Sequence, residues 1–190
     1  EATTLLALIN HLGIKSEAVI QSPERPTIAK TRVMSSHQQI VRIDQESQTA
    51  LSDAENSELH ILITRAIHDQ PAIVILSDYA KGVLSESTCR FIIDTCHQAN
   101  IPVLADPKGL DYSKYKGATA LTPNKKETAE ACGVSMNDNQ ALLAAAKQLK
   151  KSLSLDFLAV TRGEEGITLL EQDGDHHIAA TAKQVFDVSG

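Results

Sequence analysis

The stretch AIVILSDYAKGVLSESTCRFIIDTCHQANIPVLAD, residues 72–106, reads as a complete strand–helix–strand unit. It begins with an apolar run, AIVILS, and ends with another, IPVLAD, and both are typical of buried strands. Between them, residues 85–100 have the apolar spacing of an amphipathic helix, with Ser85 as the N-terminal cap and Asn100 at the end. Because a helical connection of this length joins parallel strands, the stretch predicts a parallel sheet covered by helices.

The same alternation extends on both sides of this unit. It predicts helices at 57–69, 125–133 and 137–153, and strands at 118–123 and 156–161. Strands that alternate with helices are the pattern of a doubly wound α/β fold. We therefore expect one mostly parallel sheet with helices packed on it.

Two segments depart from the alternation. Residues 27–44 alternate between polar and apolar side chains and are too polar to be buried on both faces, so we expect a small β lid that projects from the core. Residues 166–180 contain an Asp-Gly-Asp turn between two strand-like runs, which predicts a hairpin at the edge of the sheet.

Composition limits the kind of partner. The formal net charge of −6 and the pI near 5.6 argue against nucleic acid or an anionic membrane, because both favour a basic surface. No apolar run reaches the ~18–20 residues of a membrane span, and the N-terminal residues lack the pattern of a signal peptide. The small, odd number of cysteines favours a reducing compartment, so we expect a cytoplasmic protein.

Polar loops follow four successive predicted strands, at residues 78–82, 106–109, 124–127 and 161–166. Any one of them has the composition of an ordinary turn. Four together indicate a site, because ligands of an open parallel sheet bind outside the carboxyl ends of its strands.

Charged residues in these loops point to phosphate and metal chemistry. Lys81 and Lys108 offer positive charge for phosphate groups. Asn124 and Glu127 offer the oxygen ligands that Mg²⁺ takes directly or through water. The spacing of the second pair is equally explained by a helix capping box, and one role does not exclude the other.

Residues in the lid and in the last loop also allow two interpretations. Lys30 and Arg32 share one face of a predicted strand, where they can clamp a phosphate group, but charges on a solvated edge strand also oppose aggregation. Gly163 and Gly166 either let the backbone pass close to a ligand or simply turn the chain.

Three motifs resemble those of one enzyme family. TPNKKE (122–127) matches an Asn-x-x-Glu motif, VTRGEEG (160–166) a nucleotide loop, and VFDVSG (185–190) the first part of an Asp-[Thr/Val]-[Ser/Thr]-Gly-Ala-Gly-Asp signature. These are motifs of the ribokinase-like, PfkB-type carbohydrate kinases. The chain resembles this family over nearly its whole length.

Within that family, residues 26–44, 74–84 and 105–109, taken in order, resemble the D-glycero-β-D-manno-heptose 7-phosphate kinases. This group includes the kinase half of the bifunctional heptose kinase/adenylyltransferase. The resemblance implies ATP-dependent phosphorylation of the heptose 7-phosphate at its anomeric hydroxyl to the 1,7-bisphosphate, in the heptose precursor pathway of the lipopolysaccharide core. It also implies a small-molecule phosphosugar partner and a homodimeric parent enzyme.

The resemblance assigns site residues as well. Residues of three loops would contact ATP: Lys108, Asn124, Glu127, Thr161, Arg162, Gly163 and Gly166. Residues of the lid and of the loop at 78–82 would contact the phosphosugar: Thr27, Lys30, Arg32, Arg42, Asp78 and Lys81. Asn124 and Glu127 would hold Mg²⁺, Asp187 would help to shape a site for a monovalent cation such as K⁺, and Gly190 would begin an anion hole.

In this family the signature continues Ala-Gly-Asp, and that Asp is the catalytic base, so its place lies after Gly190. The motifs that grip the sugar lie upstream of Glu1. We therefore expect residues 1–190 to be a partial kinase domain that is inactive by itself. The alternatives are a kinase for another phosphosugar or a nucleoside, and a non-catalytic nucleotide-binding α/β module.

Overall fold

The computed structural model of the chain describes residues 2–36 and 38–181. The C-terminal VFDVSG motif lies outside these ranges, so the roles expected of Asp187 and Gly190 stay predictions. Within the described ranges the α-helices are Ala2–His11 (α1), Asp53–His68 (α2), Glu86–Gln98 (α3), Lys125–Cys132 (α4) and Asn139–Ser152 (α5). The strands are Ala29–Ser35 (β1), Gln38–Gln45 (β2), Val74–Ser77 (β3), Val103–Asp106 (β4), Ala120–Leu121 (β5), Phe157–Thr161 (β6), Ile167–Leu170 (β7) and Asp175–Ile178 (β8).

The main sheet has six described strands in the order β3-β4-β5-β6-β7-β8. The first four are parallel, and β6, β7 and β8 pair antiparallel. The predicted mostly parallel α/β sheet is therefore confirmed, and so is the hairpin at its edge. Strand β5 is shorter than the predicted range 118–123 at both ends. At its C-terminal end, Pro123 has no N–H to donate and so cannot extend the ladder.

Side-chain caps explain where the helices begin. Ser85 accepts a hydrogen bond from the Thr88 N–H and starts α3, as the sequence predicts. Helix α2 begins earlier than predicted because Ser52 and Glu55 form a capping box, in which each side chain accepts from the backbone of the other. No helix in residues 2–36 and 38–181 is long and apolar enough to cross a membrane.

The core lies between one face of the sheet and the helices α3 and α5. Alternate residues of the strands point into it, and among those that are fully buried are Val103, Leu121, Leu158, Val160 and Leu170. On the helix side, Cys89, Ile93 and Cys96 of α3 are equally buried, because their spacing places them on one helix face. The opposite face of the sheet is more open, and Ile75 of β3 is 65% exposed.

Strands β1 and β2 form a separate antiparallel sheet, which we call the ribbon (residues 29–45). Apart from the half-buried Ala29, its described residues are exposed. In this register, Lys30 lies opposite Asp44 and Arg32 lies opposite Arg42 on one face of the ribbon. The other face carries Val33 opposite Val41. The ribbon therefore has a charged face and an apolar face, and a role as a lid stays a prediction.

Candidate active site

The four polar loops meet at one edge of the sheet. The Asp78 N–H donates to the Asp106 carbonyl at 3.1 Å, so the loops after β3 and β4 run side by side. Asn124 and Thr161 form a parallel bridge, and the Thr161 N–H donates to the Pro123 carbonyl at 3.0 Å. The carboxyl ends of the strands thus bring the predicted residues together, as an open parallel sheet requires.

Asn124 and Glu127 form a capping box at the start of α4. The Asn124 side chain accepts from the Glu127 N–H at 2.9 Å, and Glu127 Oε2 accepts from the Asn124 N–H at 3.0 Å. The other carboxylate oxygen, Oε1, accepts from Lys108 Nζ at 2.8 Å. The capping interpretation is therefore confirmed, and the magnesium role stays a prediction that the cap does not exclude.

The charges at this helix start are coupled. Partial burial raises the pKa of Glu127, but hydrogen bonds from the Asn124 backbone and Lys108 outweigh that effect and lower it. Burial and the nearby negative charge of Glu127 raise the pKa of Asp106, at the end of β4. The pKa of Lys108 is raised by its hydrogen bond to Glu127. Asp106, which the sequence did not single out, therefore belongs to the same electrostatic cluster.

Residues 161–166, which we call the nucleotide loop, fold into a tight turn between β6 and β7. The Arg162 N–H donates to the Gly166 carbonyl at 2.8 Å, and Arg162 Nη1 donates to Thr168 Oγ1 at 3.2 Å. Glu165 places one carboxylate oxygen 2.7 Å from Lys125 Nζ and the other on Arg162 Nη2. A carboxylate therefore lies between two cations at the strand-end edge, and the sequence did not identify Lys125 or Glu165.

The two glycines of the nucleotide loop differ in kind. Gly166 has φ +92°, and a Cβ there would lie 2.0 Å from the Ile178 carbonyl oxygen of the neighbouring strand. Gly163 has φ +58°, and a Cβ there would have no atom within 4 Å. Gly166 is therefore required by the hairpin itself, whereas the open space at Gly163 leaves room for a ligand.

Asp78, expected to contact substrate, points instead into the protein. Its side chain is 3% exposed. Lys114 and the Tyr115 hydroxyl, at 2.6 Å, both donate to Oδ2, and the Ala80 N–H donates to Oδ1 at 2.7 Å. Burial raises the pKa of Asp78, but these donors outweigh it and lower the pKa overall. The position of the carboxylate favours a structural role, and contact with substrate stays a prediction.

Two lysines expected to bind substrate converge on one carboxylate. Lys30 of the ribbon lies 3.3 Å from Glu46 Oε2, and Lys81 of the loop after β3 pairs with Glu46 Oε1. Lys30 also lies 3.2 Å from Asp44. The charged face of the ribbon is therefore joined to the strand-end edge of the main sheet.

The remaining lid residues fall into two groups. Arg42 lies 2.9 Å from Asp44 and directly opposite Arg32, so both arginines share the charged face with Lys30. Like charges that lie directly opposite each other in a sheet repel, which makes this face suited to an anion. Thr27 precedes the ribbon and lines an apolar cavity of about 420 Å³, so the structure does not bring it to the charged face.

An open parallel α/β sheet binds its ligands at the carboxyl ends of its strands, and in this chain several cations lie at that edge. Residues 1–190 match the model of the pfkB family of carbohydrate kinases. The chain belongs to this family, as the motifs predicted.

Curated relatives match all or nearly all of the chain. It is similar to the bifunctional protein HldE of Methylobacillus flagellatus, with 60% identity over 190 residues, which are 100% of this chain and 39% of that protein. Its identity to HldE of Campylobacter curvus is 45% over 183 residues, 96% of this chain and 38% of that protein. The chain therefore spans about two-fifths of the length of these relatives.

Solved structures share the fold at low sequence identity. Phosphofructokinase-2 from Escherichia coli in complex with potassium has a TM-score of 0.75 at 16% identity, over 96% of this chain and 59% of that one. Ribokinase from Arabidopsis thaliana complexed with ribose and ATP has a TM-score of 0.62 at 19% identity, over 88% of this chain and 53% of that one. These similarities confirm the predicted ribokinase-like fold.

Proposed function

We propose that the enzyme containing this chain transfers the γ-phosphoryl group of ATP to the anomeric hydroxyl of D-glycero-β-D-manno-heptose 7-phosphate. The product is the 1,7-bisphosphate, a precursor of lipopolysaccharide-core heptose. The family, the 60% identity to HldE and the resemblance of the lid and loop sequences support this assignment. A kinase for another phosphosugar or for a nucleoside is the alternative within the same fold.

The observation that carries the proposal is the charged face of the ribbon. Lys30, Arg32 and Arg42 gather there, in a chain whose formal net charge is −6. The phosphate group of a phosphosugar can form ion pairs with these cations, whereas a neutral sugar cannot. The shared contact of Lys30 and Lys81 with Glu46 places this face beside the strand ends, where the hydroxyl that accepts the phosphoryl group would lie.

The nucleotide would lie at the other side of the same edge. Lys108, Lys125 and Arg162 each pair with a carboxylate, from Glu127 or Glu165. Such partly exposed ion pairs are worth ~0–1 kcal/mol, so phosphate oxygens can replace the carboxylates at little cost. The open space at Gly163 allows the backbone of the nucleotide loop to approach a ligand closely.

The donor set at the start of α4 fits Mg²⁺ held through water. Both oxygens of Glu127 already accept a hydrogen bond, and each keeps a lone pair for a water molecule. Asp106, whose pKa is raised by burial and then by the charge of Glu127, adds a second carboxylate to this cluster. Mg²⁺ in such sites usually keeps several waters and neutralises charge on the nucleotide phosphates.

The residues of this chain would act by positioning and by neutralising charge, since phosphoryl transfer needs little covalent chemistry from the protein. The ribbon cations would hold the sugar phosphate, and Lys108, Lys125 and Arg162 would hold the nucleotide phosphates. The base, the anion hole and a K⁺ site near Asp187 are expected outside the described residues.

The decisive experiment is a substrate panel with the full-length enzyme and ATP. Formation of heptose 1,7-bisphosphate, followed by phosphorus NMR, is expected at a kcat/KM at least tenfold above that for fructose 6-phosphate, ribose or inosine. A higher kcat/KM for any of these compounds would identify that compound, and not the heptose 7-phosphate, as the substrate. ATP binding without turnover of any of them would support the non-catalytic module.

Replacing Glu127 by Gln is expected to raise the Mg²⁺ concentration for half-maximal turnover about tenfold, because one charged hydrogen-bond partner is worth about 1.5 kcal/mol or more. Glutamine still serves at this position of a capping box, so the melting temperature should change little. Glu130→Gln, which removes the same charge from the exposed side of α4, is the control. An unchanged Mg²⁺ dependence would show that Glu127 caps helix α4 and does not take part in Mg²⁺ binding.

Replacing Glu165 by Gln is expected to lower the KM for ATP about two- to fivefold, since the carboxylate that competes for Lys125 and Arg162 is lost. Steady-state kinetics at varied ATP measure the effect. Glu164→Gln, at the exposed neighbouring position, removes an equal charge and should leave the KM unchanged. A rise in KM for Glu165→Gln would show that the carboxylate supports nucleotide binding.

We also infer that the enzyme is a homodimer through the apolar face of the ribbon. Val33, Val41 and Ile43 are 39%, 46% and 58% exposed, and a two-stranded sheet needs a covered apolar face to be stable. Val41→Lys with Ile43→Lys should convert a dimer to a monomer in analytical ultracentrifugation. Ile178→Lys, at a 59% exposed position of β8, should leave the dimer intact. A wild-type monomer would refute the inference.

A further inference from the structure

Tyr115 lies in the connection between β4 and β5, at the end of the short helical turn Ser113–Tyr115. Its side chain is fully buried, and its hydroxyl makes two hydrogen bonds. It donates to Asp78 Oδ2 at 2.6 Å and accepts from the Lys108 N–H at 3.3 Å. One buried hydroxyl group therefore joins two of the strand-end loops.

The first partner, Asp78, controls the shape of the loop after β3. Its other oxygen accepts from the N–H of Ala80, which has φ +53°, a conformation that non-glycine residues rarely adopt. Lys114, which pairs with the same carboxylate, also donates to the Leu84 carbonyl at 3.1 Å. These contacts hold the turn that presents Lys81 to Glu46.

The second partner is the backbone of Lys108 in the loop after β4. The side chain of this residue lies 2.8 Å from Glu127 at the start of α4. The Tyr115 hydroxyl therefore lies between a loop that carries Lys81 on the ribbon side and a loop that carries Lys108 on the α4 side.

We propose that Tyr115 is a positioning residue whose hydroxyl fixes the loop of Lys81 and the loop of Lys108 relative to each other. The proposal rests on the function proposed above, in which Lys81 lies on the sugar side and Lys108 on the nucleotide side. The hydroxyl sets the separation of the two binding sites without touching either substrate, and in-line transfer depends on that separation.

The ionisation of the pair suits this role. Burial, and then the hydrogen bond to Asp78, raise the pKa of Tyr115 far above its ordinary value, so the hydroxyl keeps its proton and donates. The Asp78 pKa is lowered by its donors against the effect of burial, so the carboxylate stays charged and accepts. A hydrogen bond to a charged acceptor typically corresponds to about a tenfold or larger change in an equilibrium constant.

The chain contains a matched control for the hydroxyl. Tyr112 is 2% exposed, and its ring lies 6.1 Å from that of Tyr115 in an edge-on contact. Among the residues that the structure describes, its hydroxyl has no hydrogen-bond partner. Phenylalanine at either position keeps the buried ring, so the two variants differ mainly in the bonds that position 115 loses.

The test compares Tyr115→Phe with Tyr112→Phe in the full-length enzyme. At saturating ATP and sugar, Tyr115→Phe is expected to lower kcat about tenfold, the effect of one charged hydrogen bond, whereas Tyr112→Phe should stay within about twofold. Ile93→Val, which removes one methylene group from a fully buried side chain and should lower the melting temperature, serves as a stability control and should leave kcat unchanged.

Equal kcat values for the two phenylalanine variants would overturn the proposal, as would a Tyr115→Phe protein that does not fold, since the hydroxyl would then serve stability alone. Failure of the wild-type enzyme to phosphorylate the heptose 7-phosphate would overturn the proposed function instead. In that event, calorimetric binding of ATP with Mg²⁺ decides: about fivefold weaker binding in Tyr115→Phe alone supports the positioning role, and equal binding refutes it.

Discussion

Replacing Lys30 and Arg32 together by alanine raises the KM of the full-length enzyme for the phosphosugar on the order of 10²-fold and leaves the KM for ATP within about twofold. Each cation is expected to contribute a charge-assisted hydrogen bond to the sugar phosphate, worth about 1.5 kcal/mol or more. Each loss corresponds to about a tenfold weaker affinity, because 1.4 kcal/mol is about a factor of ten. The two losses together therefore give about a hundredfold change. This is the largest kinetic effect that we expect from the ribbon.

The geometry makes the effect specific to the sugar. Lys30 shares Glu46 with Lys81 of the loop after β3. Lys125 begins α4, and Lys108 of the loop after β4 reaches Glu127 at the same helix start. Removing Lys30 also leaves Glu46 and Asp44 with less positive charge beside them, which further disfavours an anion at this face.

A second variant tests whether the effect comes from a local contact or from the loss of positive charge in general. Lys150→Ala with Lys151→Ala removes the same charge from the last turn of α5, which leads into the amino end of β6. Long-range attraction is screened over about 10 Å at 0.1 M salt, so this control should leave both KM values unchanged. Equal increases in the two KM values of Lys30→Ala with Arg32→Ala would refute the assignment of the ribbon to the phosphosugar.

The alternation of strands and helices could be predicted because its signals are local. Apolar spacing and the cap at Ser85 depend on residues within one or two turns, and they gave the parallel sheet and its hairpin correctly. The start of α2 was missed because its capping box, Ser52 and Glu55, precedes the apolar pattern. The ribbon was recognised from its alternation, but its register was not, and the register is what places Arg32 opposite Arg42.

The candidate site could be predicted only in outline. The rule that ligands bind at strand ends gave the four loops, but the partners of each side chain depend on packing between distant segments. Tyr115 and Asp78 are 37 residues apart, and Lys125 and Glu165 are 40 apart. No local spacing links such pairs, so neither the burial of the Asp78 carboxylate nor its bond to Tyr115 could be predicted, and Tyr115 was missed altogether.

The sequence does not distinguish the two glycines of the nucleotide loop, whereas their structural surroundings differ. Gly166→Ala is expected to destabilise the protein by about 3–5 kcal/mol. Its φ of +92° is strained for any residue with a Cβ, and the new atom would lie 2.0 Å from a backbone carbonyl oxygen that cannot move without breaking the β7–β8 pairing.

Gly163→Ala is the matched control for this change. Its φ of +58° lies in the left-handed region, where a side chain costs roughly 1–2 kcal/mol, and no atom lies within 4 Å of the added Cβ. Urea unfolding of both full-length variants measures the difference in unfolding free energy, which should be at least about 1 kcal/mol. Because the open space at Gly163 is where a nucleotide would approach, the control should raise the KM for ATP while it keeps most of its stability. Equal unfolding free energies for the two variants would mean that the hairpin backbone shifts to accommodate a Cβ at position 166. The close approach of Gly166 to Ile178 would then not fix the nucleotide loop.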